Sequence, residues 1–180
     1  MGRVIESGEL QSRHTVRLAR SLLGNVLVRT TAIGRTERII CEVEAYHTER
    51  DLACHASKGR TKRTDVLYRG GGIWYVYLCY GVHEMLNLVT GPEEHPAAIL
   101  IRGVEGAVGP GRLTKQLHIG RTLNGLAAAP VSGLHLEDQG IKVPRKIVHS
   151  GPRIGIGYAG PVWSAKPWRF WFEPEELRKD

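Results

Sequence analysis

In HTVRLARSLLG, Val16, Leu18, Ala19, Leu22 and Leu23 recur at near-helical spacing, and Gly24 stands where such a helix ends. The period then shortens. NVLVRTTAIGRTERIICEVEAY reads as a hairpin, with a strand at Asn25–Arg29, a turn near Ile33-Gly34 and a return strand at Glu37–Tyr46. GIWYVYLCYG is β-branched and aromatic, and PAAILIRGVE is a short apolar run of the kind that forms a buried strand. GPGRLTKQLHIG predicts a Gly-Pro turn feeding one short helix, and from Gly133 onward the chain breaks into strand-like pieces separated by Gly and Pro. Helix, strands, helix and strands again, without βαβ alternation, predict an α+β fold. We expect a single domain over residues 1–180, with a curved, mainly antiparallel β-sheet flanked by a few helices.

Alternation along the strands assigns faces. On Glu37–Tyr46, Ile39, Cys41, Val43 and Ala45 share an apolar face, while Ile40, Glu42, Glu44 and Tyr46 share the other. Two acids and a tyrosine are thereby carried towards something polar. On the next strand Trp74, Val76 and Leu78 alternate with Tyr75, Tyr77 and Cys79, and Tyr80 before Gly81 falls where the strand turns over.

Composition narrows the picture. An apolar content of 42% over 180 residues suffices for one core. The longest apolar runs are too short to span a bilayer, and MGRVIESGEL has no apolar stretch of the secretory type, so a cytoplasmic location is expected. Cys41, Cys54 and Cys79 lack zinc-type spacing and predict buried reduced thiols. The formal charge of +7, with basic loops KGRTKRTD and KVPRK, favours an anionic partner, nucleic acid above all.

Two apparent motifs fail. GIGYAG at Gly155–Gly160 matches a dinucleotide fingerprint, but Pro161 follows at once where a helix is required. HEMLN at His83–Asn87 lacks the second histidine of a zinc-protease pair. Acid, arginine and aromatics remain. A partly desolvated carboxylate can activate water as a general base, Arg102 at a strand end can orient it, and Tyr46, Tyr77 and Tyr80 offer surfaces for stacking a base. Two rivals keep their place beside this reading: a non-catalytic basic nucleic-acid-binding domain, and a metal-dependent hydrolase using His47, His55, His83 and Glu84.

Taken together, EVEAY, HASKGRTKR, WYVYLCYGVHEMLN, LIRGVE, GPGRL, RIGIGYAG and KPWRFW occur in an order that resembles the alkyladenine (3-methyladenine) DNA glycosylases, from about Leu18 to Phe172. The resemblance implies a monofunctional enzyme of base excision repair that acts on duplex DNA containing damaged purines, with no metal and no other cofactor. It implies that Glu44 deprotonates a water attacking C1′ and that Arg102 helps hold that water and the 3′ phosphate. Tyr46 and Tyr77 would sandwich the flipped base, His55 would hydrogen-bond at the purine's position 6, and Asn87 would exclude guanine through its 2-amino group. Tyr80 would be the minor-groove wedge, with Thr61, Arg63 and Val82 contacting DNA. A monomer in a bacterial cytoplasm, associated with the nucleoid, is the expected setting.

The chain departs from the family at several points. TKRT stands where T-P-R-N is common, so Thr61 and Arg63 match while Lys62 and Thr64 do not. His83 and Glu84 occupy places where aromatic or apolar residues are common, and Glu84 is expected to face inward or away from DNA. Val82 replaces a larger residue. Glu42 and His47 are read as supporting or solvent-facing. Electrostatic binding of DNA carries its own expectation. In a salt titration of binding to undamaged duplex, the log–log slope should be roughly −0.9 per neutralised phosphate. A flat titration would remove the electrostatic basis for a DNA partner.

Overall fold

In the computed structural model residues 2–178 are described. The chain runs through β1 (Arg3–Val4), α1 (Thr15–Leu22), β2 (Val26–Thr31), β3 (Gly34–His47), β4 (Ile73–Cys79), β5 (His83–Val89), β6 (Ala97–Val104) and β7 (Ala107–Val108). It continues as α2 (Pro110–Gln116), β8 (Leu134–Asp138), β9 (His149–Gly151), α3 (Gly160–Ser164) and β10 (Arg169–Trp171). All pairings are antiparallel in one curled sheet ordered β1-β8-β2-β3-β6-β5-β4, with β10 beside β3, β9 beside β10 and β7 beside β6. This is the predicted α+β class. No helix among the described residues is long and apolar enough to cross a membrane.

The helix begins at Thr15 and stops at Leu22, because Leu23 is extended and Gly24 takes φ +87°. A Cβ on Gly24 would lie 2.7 Å from Val143 Cγ2 and 3.0 Å from the Ile141 carbonyl, so glycine is required twice over. The apolar face of α1 sends Ala19 and Leu22 into the same core as Val43, Ala45, Trp74, Val76, Leu86, Leu88, Ile99, Ile101 and, from α2, Leu113. The Trp74 indole, fully buried, donates to the Leu134 carbonyl at 2.9 Å.

Strand β3 is long enough to serve two partners along one edge, β2 at Gly34–Ile39 and β10 at Glu42–Glu44, while β6 takes the other edge. Against β6 the register slips twice. Ile40 pairs with Val104, Glu42 with Gly103 and Val43 with Ile101, so Cys41 and Arg102 have no counterparts across the ladder. Such bulges re-aim side chains. The first corrects a prediction: Ile40, expected beside Glu42 and Glu44, lies in the apolar core together with Cys41. Gly103 makes room for the displaced acid, since a Cβ there would sit 3.1 Å from Glu42 Cβ.

Three smaller expectations also change. Cys41 and Cys54 are buried, but Cys79 is only half-buried. Leu78, grouped by alternation with Trp74 and Val76, instead lines a cavity near the end of β4 together with Tyr75 and Tyr77. GIGYAG is in fact followed by a helix, α3, with Pro161 in its first turn, where a missing N–H costs nothing. The dinucleotide reading still fails, because the preceding strand β9 pairs antiparallel with β10 and no βαβ unit exists there.

Beneath the second half of β3, Asp51 and Arg153 form a buried ion pair with both side chains at 0% exposure. Arg153 donates through Nη1 and Nη2 to the two Asp51 oxygens, and also to the carbonyls of Ala45 and Trp163. Asp51 accepts in addition from the backbone N–H groups of His47 and Ala53. Removing one member of such a pair leaves a buried charge uncompensated, so Arg153→Ala should cost about 3–5 kcal/mol in urea unfolding. The double change Asp51→Asn with Arg153→Met should recover much of that loss. Equal stability of Arg153→Ala and the native chain would show the pair to be dispensable.

Candidate active site

The cross-strand register builds the site. Tyr75 lies opposite Asn87, Asn87 opposite Leu100, Leu100 opposite Glu44 and Glu44 opposite Arg169, one continuous row across β4, β5, β6, β3 and β10. Residues directly opposite in an antiparallel ladder share a face. The row therefore stands on the side of the sheet away from the Trp74 core. Over it lies a cavity of about 590 Å³, walled also by Tyr46, His55, Arg63, Tyr77, Arg102 and Tyr158.

Glu44 sits on the cavity floor with 0% exposure. Its Oε2 accepts from the Tyr46 hydroxyl at 2.7 Å and its Oε1 from the Ile154 N–H at 2.8 Å, with Arg102 Nε 3.7 Å from Oε1. Burial pushes the carboxyl above the ordinary carboxylate range, while Arg102, the Ile154 N–H and the Tyr46 hydroxyl hold it down. Opposed in this way, the group is a buried carboxyl with two fixed donors, facing a cavity.

Arg102, re-aimed by the bulge, makes its closer bond to Glu42 Oε1, at 3.0 Å. Arg169 Nη1 reaches the same oxygen at 2.9 Å. Glu42 is thus a buried anchor for two arginines, the supporting half of its expected role, and not a solvent-facing residue. His47 lies apart from the cavity, with Nδ1 3.1 Å from Thr15 Oγ1 and its ring edge-on to His95.

The aromatic wall follows from the YVY alternation. His55 Nδ1 is 3.0 Å from the Tyr75 hydroxyl, and its ring stands 4.6 Å from Tyr77, edge-on. Burial first, then the nearby Arg63 cation, push His55 down to about 4, so it is neutral at physiological pH. Tyr46 is covered on one side by Arg153, whose Cζ is 4.7 Å from the ring centroid. Asn87 is buried, and its amide nitrogen donates to the carbonyls of Tyr75 and Met85 at 3.2 and 3.3 Å, which fixes the side chain in the wall.

At the rim, Tyr80 is 91% exposed with φ +49°, and Gly81 follows at φ +72°. Positive φ at both central residues, closed by Val82 N–H to the Cys79 carbonyl at 3.1 Å, is the geometry of a type I′ hairpin turn. Val82 stands exposed beside it. Glu84 pairs Oε1 with Arg121 Nε at 3.2 Å and buries Oε2. Thr61 is not part of the cavity wall; its hydroxyl lies 3.1 Å from Thr64 Oγ1 and accepts from the Thr64 N–H in a local turn. Arg63 is part of the wall, its Cζ 5.0 Å from the centroid of Tyr77.

Sequence reading missed Ile154, Arg153, Arg169 and Tyr75. The first two lie in RIGIGYAG, where a backbone N–H and a buried ion pair leave no side-chain spacing to read; Tyr75 was legible, since it alternates with Tyr77. The four residues of the metal-hydrolase alternative are not assembled: among the described residues no group of three or more His, Cys, Asp or Glu could hold a metal ion.

A family model described as methylpurine-DNA glycosylase (MPG) matches residues 9–109 and 104–176. The chain is 43% identical over 187 residues to a Psychrobacter cryohalolentis protein, covering 87% of this chain and 85% of that one. It is 45% identical over 171 residues to a Myxococcus xanthus protein, at 89% and 86% coverage. With a Methanocella arvoryzae protein it shares 43% over 183 residues, at 91% and 90% coverage. All three carry the name "Putative 3-methyladenine DNA glycosylase". The chain belongs to the methylpurine-DNA glycosylase family.

Proposed function

We propose that the protein is a monofunctional DNA glycosylase that takes a damaged purine out of duplex DNA into the cavity and hydrolyses its N-glycosidic bond. The observation that carries this reading is Glu44: a fully buried carboxylate, held by two hydrogen-bond donors with the Arg102 cation beside it, at the floor of an aromatic cavity. In that position Glu44 takes a proton from a water, the water oxygen bonds to C1′, and the C1′–N bond breaks with its electron pair leaving on the base. Arg102 and the 3′ phosphate would meet on the same side. No lysine lines the floor near Glu44, and Lys58 in the outer wall is the one amine among the lining residues, so a Schiff-base lyase step is not part of the proposal.

Tyr46 and Tyr77 supply flat surfaces, His55 in its neutral form offers a ring nitrogen to the purine's position 6, and Asn87 narrows the wall against a 2-amino group. Tyr80, rigidly projected from its turn, fills the gap left in the stack, an exchange that offsets a few kcal/mol of unstacking. Thr61, Arg63 and Val82 border this face. Alkylated and deaminated purines are both within the proposed range, with a monomer acting in the cytoplasm on chromosomal DNA.

The reaction is tested on duplexes carrying one hypoxanthine or one ethenoadenine, incubated in EDTA and then treated with hot alkali. A break at the lesion only after alkali is expected. Glu44→Gln should lower the single-turnover rate by about 10²–10⁴-fold. Tight binding with no break at any lesion would leave a binding domain.

The acid limb of the rate profile tests the electrostatics. Activity needs the ionised carboxylate, and the Glu44 pKa is raised, so activity should be lost as pH falls through a value above the ordinary carboxylate range. Tyr46→Phe removes a donor that holds this pKa down and should move the limb to still higher pH. An unmoved limb would show that Glu44 is not the titrating base.

A further inference from the structure

The basic segment KVPRK and the arginines of α1 take no part in the cavity, yet the fold brings them to one side of the molecule. Helix α1 sends Ala19 and Leu22 into the Trp74 core, so it covers the face of the sheet opposite the Glu44 row. Arg13, Arg17 and Arg20 line a single groove of about 490 Å³ along it, with the buried Phe170 at its base. Just past the helix, Gly24 abuts Ile141 and Val143, which seats the KVPRK loop at the far end of α1.

Charge on this surface is unbalanced. Arg13, Arg17, Arg20, Lys142 and Arg145 are all exposed, and among the described residues none of them forms an ion pair. By contrast, the exposed Arg3, Arg60, Arg69 and Arg121 on other surfaces each hold a carboxylate. Helix α1 contains no acid of its own. Arg17 and Arg20, three apart, repel each other on its surface, and Arg13 and Arg17 stand at its N-terminal end, where the backbone dipole disfavours cations. A polyanion laid along the groove relieves both. From Arg13 to Arg20 the helix runs about 10 Å. Over that length duplex DNA carries about six negative charges, so charge and spacing both fit a phosphate backbone.

We propose that α1 and the KVPRK loop form a second DNA-binding surface, which holds a separate segment of duplex by its phosphates while the cavity face engages the first. The proposal rests on the glycosylase reading for the identity of the polyanion, and goes beyond it because this surface takes no part in hydrolysis. Duplex DNA is stiff over the dimensions of a small domain, so a duplex lying across the cavity mouth does not turn round the sheet to reach α1. The two faces therefore take two segments. The second is gripped through phosphates alone, without base readout, by arginines that carry no sequence information.

The test counts duplexes per chain by analytical ultracentrifugation, with a short undamaged duplex in excess at about 50 mM salt, where phosphate contacts are strong. The native protein should bind two. The triple variant Arg13→Ala, Arg17→Ala, Arg20→Ala should bind one, and it stays folded because alanine is the best helix former at exposed positions. Changing the same three arginines to lysine keeps the charge and should keep two. In the double variant Lys142→Ala, Arg145→Ala the log–log salt slope of the second binding event should be shallower by roughly 0.9 for each cation removed. Single-turnover excision of hypoxanthine, with enzyme in excess, should be unchanged in the triple alanine variant. One duplex per native chain, or two in the triple alanine variant, would overturn the proposal. Slower excision in that variant would do the same, by assigning α1 to the substrate duplex. One duplex per native chain, with poly-L-glutamate retained by the native protein and lost by the variant, would make the surface one for an acidic protein instead. The count needs no lesion, so a native protein that excises nothing defeats the glycosylase reading alone.

Discussion

The buried Asp51–Arg153 pair holds the parts of this site in register. Asp51 belongs to the loop after β3, and Arg153 to the loop after β9. Their bidentate contact, together with Arg153 to the Ala45 carbonyl and Asp51 to the His47 N–H, fastens both loops to the last residues of β3. The consequences lie one residue away. Ile154 follows Arg153 and delivers its N–H to Glu44, while Asp51 and Ala53 lead into the segment that carries His55. A desolvated ion pair is a poor source of net stability compared with apolar packing, but its two-pronged geometry is directional in a way that packing is not. Here direction is what the site needs, since a backbone donor must meet a buried carboxylate.

The second constraint is the pair of bulges between β3 and β6. In a regular ladder Arg102 would face a residue of β3, and Ile40 would share the acid face. The two slips send Ile40 into the core and free Arg102 to lie between Glu42 and Glu44. They also bring Gly103 against Glu42, where an added Cβ would crowd the Glu42 side chain at 3.1 Å. Strand β3 thus keeps an apolar back and a charged front while changing its partner on one edge from β2 to β10.

Those two devices mark the boundary of what the sequence made legible. Strict alternation grouped Glu44 with Tyr46 on one strand and Tyr75 with Tyr77 on the next, and the Tyr80-Gly81 pair announced the turn. Alternation carries no sign of a register slip, because a bulge depends on which residue of the neighbouring strand comes opposite, so Ile40 was misplaced. Ile154 was invisible for a different reason: it acts through a main-chain N–H that every residue but proline possesses. Glu42 read as ambiguous because its role is set by Arg169, far away in sequence and brought beside it only by β10. The strand periods were local information; the anchors of the site were not.

Tyr80 shows how a cost can point to function. A non-glycine residue in the left-handed region gives up roughly 1–2 kcal/mol, and a tyrosine left almost fully exposed gains nothing from burial. Asparagine would suit the same turn at lower cost. Neither neighbour compensates: Gly81 has open space around it, and Val82 is itself exposed. At the mouth of the cavity a ring exposed in this way is free to meet a stacked partner from outside the chain, the role proposed for it. A residue that breaks two local preferences at one point, with no return in the core, supports the wedge assignment more firmly than its aromatic character alone.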